Sequence, residues 1–316
     1  MITTFDRGKL EAPEAGSVVS IGFFDGVHLG HRAILARNVE VAAELGAVPT
    51  VLTFRRHPKH LLLGRAPKTL TTLDHRLALF ERNGIEHTVA LTFDESLREL
   101  SPEDFAREIT VEGLAVRKFV LGFDSKFGRH REGTPERLRE LGFDVEVVPK
   151  VVVNRRAVSS TAIREAVSLG DLAGAAAMLG RPVSVFGVVV HGENLGARIG
   201  FPTANLDLHH ELHPPPGVYA CRARLPRRPD GAALDGVANI GFRPTVTDEP
   251  PDLPQLEVHL FDFDGDLYGE RMELEFVEHL RGEQRFSGID ELVAQIGRDV
   301  ERARTILAAP STPAVR

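Results

Sequence analysis

The chain has a single cysteine, Cys221, among its 316 residues. That excludes an internal disulfide and a zinc site built from several thiolates. No apolar run approaches the roughly 20 residues that a membrane-spanning helix needs. The opening segment, Met1-Ile2-Thr3-Thr4-Phe5-Asp6, lacks the basic-then-apolar order of a secretion signal, so a cytoplasmic location is expected. There is no excess of positive charge either. The formal net charge is -7, which argues against a general electrostatic grip on nucleic acid or an anionic membrane, while leaving room for a local basic pocket for a nucleotide. The length suits two domains, and 42% hydrophobic residues are enough for each to build a core.

The most informative stretch is Gly22-Phe23-Phe24-Asp25-Gly26-Val27-His28-Leu29-Gly30-His31. It follows Val18-Val19-Ser20-Ile21, read as a buried strand. It precedes a helix from Ala33 to Leu45, with apolar residues at helical spacing and Gly46 at its stop. The glycines and histidines therefore sit on a strand-to-helix turn. That is where an open parallel sheet binds ligands and where a helix N-terminus offers free N–H groups to an anion. Gly22, Gly26 and Gly30 let backbone approach a phosphate, and His28 and His31 can donate to its oxygens as charge develops. For any one of these residues, a tight turn with surface histidines is the plainer alternative.

Strands and helices alternate to about residue 183. Val48 to Phe54, His87 to Phe93, Lys118 to Leu121 and Asp144 to Val148 read as strands, and Ser101-Pro102-Glu103 and Thr134-Pro135-Glu136 as helix starts. This order predicts an α/β, Rossmann-like domain with a parallel doubly wound sheet. The glycine-rich loop Gly122 to Gly133 carries Asp124, Lys126, Arg129 and Arg131, as a solvated basic loop or a ligand-facing one. Ser159-Ser160-Thr161-Ala162-Ile163-Arg164 opens a helix. Its hydroxyls either cap that helix or, with Arg164 one turn from Thr161, clamp a phosphate. His57, before the strand-ending Pro58, is ordinarily a loop residue, but it shares a sheet edge with His28 and His31.

After Pro182 the texture changes. Val183 to Val190, Gly217 to Leu225, Gly236 to Ile240, Leu256 to Phe263 and Met272 to Val277 read as strands with no helix between them, which predicts a small antiparallel barrel. Ile289 to Leu307 is a terminal helix, and Ala309 to Arg316 a frayed tail. Gly192, Gly196 and Gly200, with Arg198 between, fit neither a Walker loop nor the dinucleotide fingerprint, but their spacing suits a backbone arch around a phosphate chain. Thr203 and Asn205 face one side of an extended segment. With phosphate oxygens they could hold Mg²⁺; equally they form a polar turn after Pro202. Glu257 shares a strand face with His259, as a solvated outward residue or a positioned base. Asp262, Asp264 and Asp266 superficially match a calcium loop. Gly265 falls between the second and third acids and no helices flank it, so a hairpin turn at Asp264-Gly265 is expected.

Taken in order, these motifs resemble the bacterial bifunctional riboflavin kinase/FMN adenylyltransferases over nearly the whole chain. The first-domain likeness rests on Gly22 to His31, Thr53-Phe-Arg-Arg-His-Pro58, Gly122-Phe-Asp124 with Phe127-Gly128, and Ser159 to Arg164. The second rests on Gly200-Phe-Pro-Thr-Ala-Asn205, Pro216-Gly-Val-Tyr219, Gly236 to Gly241 with Arg243-Pro-Thr245, Leu256 to Phe263, and Tyr268-Gly269. The resemblance implies an adenylyltransferase domain over residues 1–183, a riboflavin kinase β-barrel over 184–308 and a flexible tail over 309–316. In the barrel, Glu257 is then the general base for attack of riboflavin on ATP, and Thr203 and Asn205 are Mg²⁺ ligands. Gly192, Gly196 and Arg198 bind ATP. In the first domain, His28, His31 and Arg164 serve adenylyl transfer to FMN, with Gly22, Phe23, Asp25, Gly30, Ser160 and Thr161 on ATP. His57, Asp124, Asn239 and Arg243 are flavin-side candidates.

The implied partners are riboflavin, FMN and ATP, with no nucleic acid or membrane, and a monomer by default. The chain departs from the family pattern at Arg55-Arg56, where an acid and a proline are usual, and at Ser125-Lys126, where an aromatic and an arginine are. Two other readings are a nucleotidyltransferase with a non-flavin acceptor and a non-catalytic flavin-binding protein. The barrel motifs argue against the first, and the intact motif residues against the second.

Overall fold

The computed structural model describes residues 1–192, 195–207, 212–226, 232–241 and 255–309. The chain divides into two compact units, Met1–Thr69 with Leu73–Ser160, and Leu70–Thr72 with Thr161–Arg316.

The sheet of the first unit contains β1 (Ile2–Thr4), β2 (Ser17–Ile21), β3 (Val48–Phe54), β4 (His87–Leu91), β5 (Val116–Gly122) and β6 (Val145–Val148). Their order is β1-β4-β3-β2-β5-β6 and every pairing is parallel. Between and beside them lie α1 (Leu29–Leu45), α2 (Lys59–Leu63), α3 (Leu73–Arg82), α4 (Glu95–Arg98), α5 (Pro102–Phe105) and α6 (Pro135–Glu140). β2 is the pivot: β3 adds on one side and β5 on the other, so the crevice for a ligand opens at its C-terminal end.

Both faces of β2 are covered. Val19 and Ile21 pack with Leu52, Phe119 and Leu121, while Val18 packs with Val41, Ala42 and Val120. This two-sided burial explains why the strand reads as an apolar run rather than an alternation. Its polar atoms are accounted for. Ser20 Oγ donates to the Val120 carbonyl at 2.7 Å, and the buried Asn38 of α1 donates to the Val18 carbonyl and to Ser20 Oγ at 3.0 and 2.9 Å. These bonds fix α1 against the strand that feeds it.

Some short elements escape the sequence reading: β1, α2, α4, and a hairpin of β7 (Val152–Val153) and β8 (Arg156–Ala157). The helix expected from Ser101 is α5 continued by a π-helical stretch, Ala106–Glu112. Then come α7 (Ser160–Ser168) and α8 (Leu172–Leu179), the latter closed by Gly180 at φ 71°.

In the second unit, β9 (Val183–Val190), a short helical turn α9 (Leu195–Arg198), β10 (Ala204–Leu206), β11 (Gly217–Arg224), β12 (Leu234–Gly241), β13 (Gln255–Leu260) and β14 (Arg271–Arg281) precede α10 (Ile289–Ala308). The strands close into an antiparallel barrel in the order β10-β13-β12-β11-β14-β9. Closure removes the open edges. α10 packs Ala303 and Leu307 onto Val218, Val237 and Leu280 of the barrel's outer surface.

One expectation is overturned. β13 and β14 are not neighbours, so residues 261–270 are a crossing loop and not a hairpin. Asp262 takes φ 52° there and is held by a two-point pair from Arg304 at 2.8 and 3.0 Å. Among the described residues, no group of three or more His, Cys, Asp or Glu side chains is placed to hold a metal ion.

Candidate functional site

The turn after β2 is built under strain. Phe24, Gly26 and Val27 have φ of 56°, 82° and 40°. A β-branched residue in that region is unusual. Here it is enforced by burial, because Phe24 and Val27 are 3% and 1% exposed and pack among Leu35, Leu79 and Phe80. Strain held in place by packing is characteristic of ligand-binding turns.

The turn delivers the two histidines as a pair. His28 is the N-cap of α1, its Nδ1 accepting the His31 N–H at 3.3 Å. The two rings stack with centroids 3.6 Å apart and planes 15° apart. His31 also meets the edge of Phe24 at 5.2 Å. Its Nδ1 is buried without a hydrogen-bond partner among the described residues. Burial first, then the neighbouring His28 and Arg76, push the His31 pKa well below the ordinary value of 6.5. His31 is therefore a neutral imidazole at physiological pH. Gly30 lies under the His28 ring, where a Cβ would approach His28 Cε1 to 3.2 Å.

Arg76 of α3 is 1% exposed and organises the same turn. It donates from Nη1 to the Phe23 carbonyl at 2.7 Å and Thr53 Oγ1 at 3.2 Å, and from Nη2 to the Phe54 carbonyl at 3.0 Å. Its guanidinium lies 4.1 Å from the centre of the Phe23 ring. One side chain thus ties the end of β2 to the end of β3. Burial draws its pKa down to about 10, against the opposing charge of Asp25, which is 3% exposed.

Phe23 also touches His57, ring centroids 4.6 Å apart, so His57 sits beside the turn. His57 Nδ1 accepts the Lys59 N–H at 3.1 Å. In the neutral ring this leaves Nε2 as the donor. His57 lines a cavity of about 460 Å³ at the ends of β3 and β4. Asp124 is exposed on the loop after β5, outside that cavity's lining. Ser160, first residue of α7, donates from Oγ to the Asp25 carbonyl at 3.0 Å. Thr161 is exposed and Arg164 half-buried on the same helix.

In the barrel unit a cavity of about 280 Å³ is lined by Gly196, Thr203, Asn205, Asn239 and Glu257, with α10 contributing Asp299. The register explains the grouping. On β13, Glu257 stands directly opposite Asn205 of β10 on one side and Asn239 of β12 on the other. Leu256, Val258 and Leu260 point to the barrel core, so Glu257 and His259 project outward into the cavity. The outward position does not leave Glu257 solvated: it is half-buried.

Two glycines of the preceding segment, Gly192 and Gly196, are required by close approach. A Cβ on Gly196 would collide with the Phe201 carbonyl and stand 3.0 Å from Thr203 Oγ1, and one on Gly192 would collide with the Asn205 amide. Arg198 is exposed and does not line this cavity. Arg243 lies outside the described residues. A second cavity of about 340 Å³, lined by Val189, Leu260, Asp266 and Tyr268, shares Thr203 with the first.

The comparisons agree with this two-part arrangement. The family model for FAD synthetase matches residues 10–162 and that for riboflavin kinase residues 179–307. The bifunctional riboflavin kinase/FMN adenylyltransferase of Bacillus subtilis is 36% identical over 95% of both chains. The enzyme of the same name from Escherichia coli K12 is 39% identical over 93% of this chain and 94% of its own. This chain belongs to that family.

It is a bifunctional enzyme. It phosphorylates riboflavin with ATP to FMN in its C-terminal riboflavin kinase domain, and adenylylates FMN with ATP to FAD and pyrophosphate in its N-terminal FAD synthetase domain. A crystal structure from Streptococcus pneumoniae, described as a macrolide-efflux protein, has the same architecture. Its TM-score is 0.81 over 96% of this chain and 98% of that one, at 29% identity. That description belongs to that protein; among the described residues here, no helix is long and apolar enough to cross a membrane.

Two features of this riboflavin kinase/FMN adenylyltransferase escape motif reading. Arg76 is one. The other is the pair in which Arg281 of β14 grips the buried Asp299 of α10, Nη2 to Oδ2 at 2.9 Å, supported by Gln295 at 2.8 Å. Both residues line the cavity around Glu257.

Proposed function

We propose that riboflavin phosphorylation is centred on Glu257 and adenylyl transfer on the His28–His31 pair. The observation that carries the first assignment is the cross-strand placement of Glu257 between Asn205 and Asn239, in a cavity that also holds Thr203. Glu257 takes the proton of the riboflavin hydroxyl that attacks the γ-phosphate of ATP. Asn239 fits the flavin side of this cavity, and Arg243 keeps that assignment from the family likeness alone.

Because Thr203 borders both cavities, we place the phosphoryl group in flight over it, riboflavin in the cavity of Glu257 and the nucleotide towards Tyr268. Gly192 and Gly196 let Asn205 and the Phe201–Thr203 segment close against their backbone, and we place the phosphate chain along that backbone. Arg198 is assigned to its outer end. These neutral, hard oxygens fit Mg²⁺, which accepts few protein ligands when substrate phosphates supply the rest. Thr203 and Asn205 would hold it, and it would neutralise charge between the phosphates. Glu257→Gln should abolish conversion of riboflavin to FMN while added FMN is still adenylylated. Unchanged riboflavin phosphorylation would remove Glu257 as the base.

In the first unit, the FMN phosphate attacks the α-phosphate of a second ATP and expels pyrophosphate. His28 and the neutral His31 donate N–H groups to the α-phosphate as its charge grows. Gly22, Phe23, Asp25 and Gly30 shape the turn beneath it. Ser160 takes the leaving phosphates, with Thr161 and Arg164 keeping that assignment from the family likeness alone, and His57 and Asp124 take the flavin side. No covalent intermediate is needed, since positioning and preorganised donors suffice. Within these assignments we keep residues 1–183 for the adenylyltransferase domain and 184–308 for the kinase domain, in a cytoplasmic monomer; the tail from 310 lies outside the described residues.

A further inference from the structure

The cavity beside His57 has a charge pattern that the reaction assigned above does not yet use. Arg55, Arg56, His57 and His60 line one part of it, and Leu61 and Phe93 contribute apolar wall. None of the described residues lining it is an aspartate or glutamate. Among the described residues, Arg55, Arg56 and His60 have no carboxylate partner; Arg55 instead lies over the Phe5 ring at 5.5 Å. Two acids adjoin lining residues in sequence: Asp74 follows Leu73 at the start of α3, and Asp94, which follows Phe93, caps α4, accepting the Leu97 N–H at 2.8 Å and the Ser96 hydroxyl at 2.7 Å.

At about 460 Å³ the cavity falls within the roughly 300–1,000 Å³ of small-molecule sites. Two permanent cations with no carboxylate partner among the described residues, beside the Phe93 ring, suit a flat aromatic ligand that carries an anionic group. A phosphomonoester, with about 1.5 to 2 negative charges at neutral pH, is the group that two arginines recognise best.

Resting on the reading that His57 faces the flavin, we infer that this cavity selects the phosphorylated flavin over the unphosphorylated one, with Arg55 and Arg56 as the selecting residues. The selection gives the double activity a direction. Riboflavin, the neutral substrate of the other reaction, differs from FMN chiefly in lacking the phosphate. An apolar cavity alone would bind both and let riboflavin occupy the adenylyltransferase as an inhibitor. Discrimination by charge predicts an FMN affinity that weakens with salt and a riboflavin affinity that does not.

The chain has no tryptophan, so Phe93→Trp places a single fluorescent reporter in the cavity wall of the full-length protein. FMN and riboflavin are titrated against it at low and high salt, with Mg²⁺ and a non-hydrolysable ATP analogue present. Both flavins should quench the reporter, FMN at a concentration lower by about tenfold or more, which corresponds to about 1.4 kcal/mol. Adding Arg55→Gln and Arg56→Gln should abolish the difference by weakening FMN alone. It should also raise the KM for FMN in FAD formation with little change in kcat. Riboflavin phosphorylation in the same proteins verifies that they are folded. Equal quenching by the two flavins, or a preference that survives the double substitution, overturns charge selection while leaving the flavin assignment of the cavity in place. Absence of quenching by either flavin overturns both.

Discussion

Arg76→Met is the sharpest perturbation of the adenylyltransferase turn. The substitution keeps a long side chain but removes the bonds to the Phe23 and Phe54 carbonyls and to Thr53 Oγ1. A buried group left without its partner costs about 1–3 kcal/mol. Two carbonyls at the lower half of that range, with Thr53 still able to donate to Phe23, predict a loss of about 2–4 kcal/mol in unfolding free energy. The turn that carries His28 and His31 loses its tie to β3. A displacement of reacting groups near 1 Å costs about 10²-fold in rate, so FAD formation from FMN should fall by about that factor, while riboflavin phosphorylation is spared.

A second readout separates this from general damage. Arg76 is one of the charges that depress the His31 pKa. Its removal moves that pKa up towards 6.5, so the acid limb of the FAD-formation profile should shift to higher pH. Arg76→Lys keeps the charge without the fork, and should slow FAD formation while leaving the acid limb in place. The assays are chromatographic FAD and FMN formation across pH, together with denaturant unfolding. Destabilisation by the expected amount with FAD formation within about threefold of the parent would refute the positioning role, since a 1 Å displacement is worth far more.

Gly196→Ala should lose riboflavin phosphorylation and keep FMN adenylylation, because its Cβ collides with the Phe201 carbonyl and crowds Thr203 Oγ1; normal FMN production would contradict the close approach. The His31 shift also predicts a pH dependence of stability. Its folded pKa lies below the unfolded value of 6.5, so the unfolded chain binds the extra proton and stability falls as pH drops below about 6.5. His31→Phe should flatten that acid-side loss in denaturant unfolding, and an unchanged slope would mean that His31 is not held neutral. Breaking the Arg281–Asp299 pair with Asp299→Ala leaves Arg281 uncompensated at low exposure, with an expected cost of about 3–5 kcal/mol in unfolding. Unchanged stability would place that pair among the solvated ones.

The fold is legible where local physics decides it. The buried run of β2, the glycine stops of α1 and α8, and the capped proline starts at Pro102 and Pro135 each announce themselves within a few residues. Long-range pairing does not. Asp264-Gly265 has the composition of a hairpin turn, yet barrel closure sends the chain across to β14, and no local signal encodes that choice. The three residues of β10 are too few to show a period.

Site residues divide in the same way. His28 and His31 stand out because they share one turn. The meeting of Glu257 with Asn205 and Asn239 depends on the register of three strands, so motif likeness named the residues and the structure supplied their proximity. Arg76 does not stand out in the sequence because an arginine in an amphipathic helix ordinarily faces water. Its spacing to Leu79 and Phe80, on the buried face of α3, was the available signal.

We propose two separate sites that act in sequence, one centred on Glu257 and one on His31. Mixing the two inactivated proteins tests this directly. His31→Ala alone should convert riboflavin and MgATP to FMN and stop, and Glu257→Gln alone should make nothing from riboflavin. Together they should form FAD, as FMN released by the first is adenylylated by the second. FAD production from riboflavin by either variant alone would contradict the account, as would a mixture that accumulates FMN and forms no FAD.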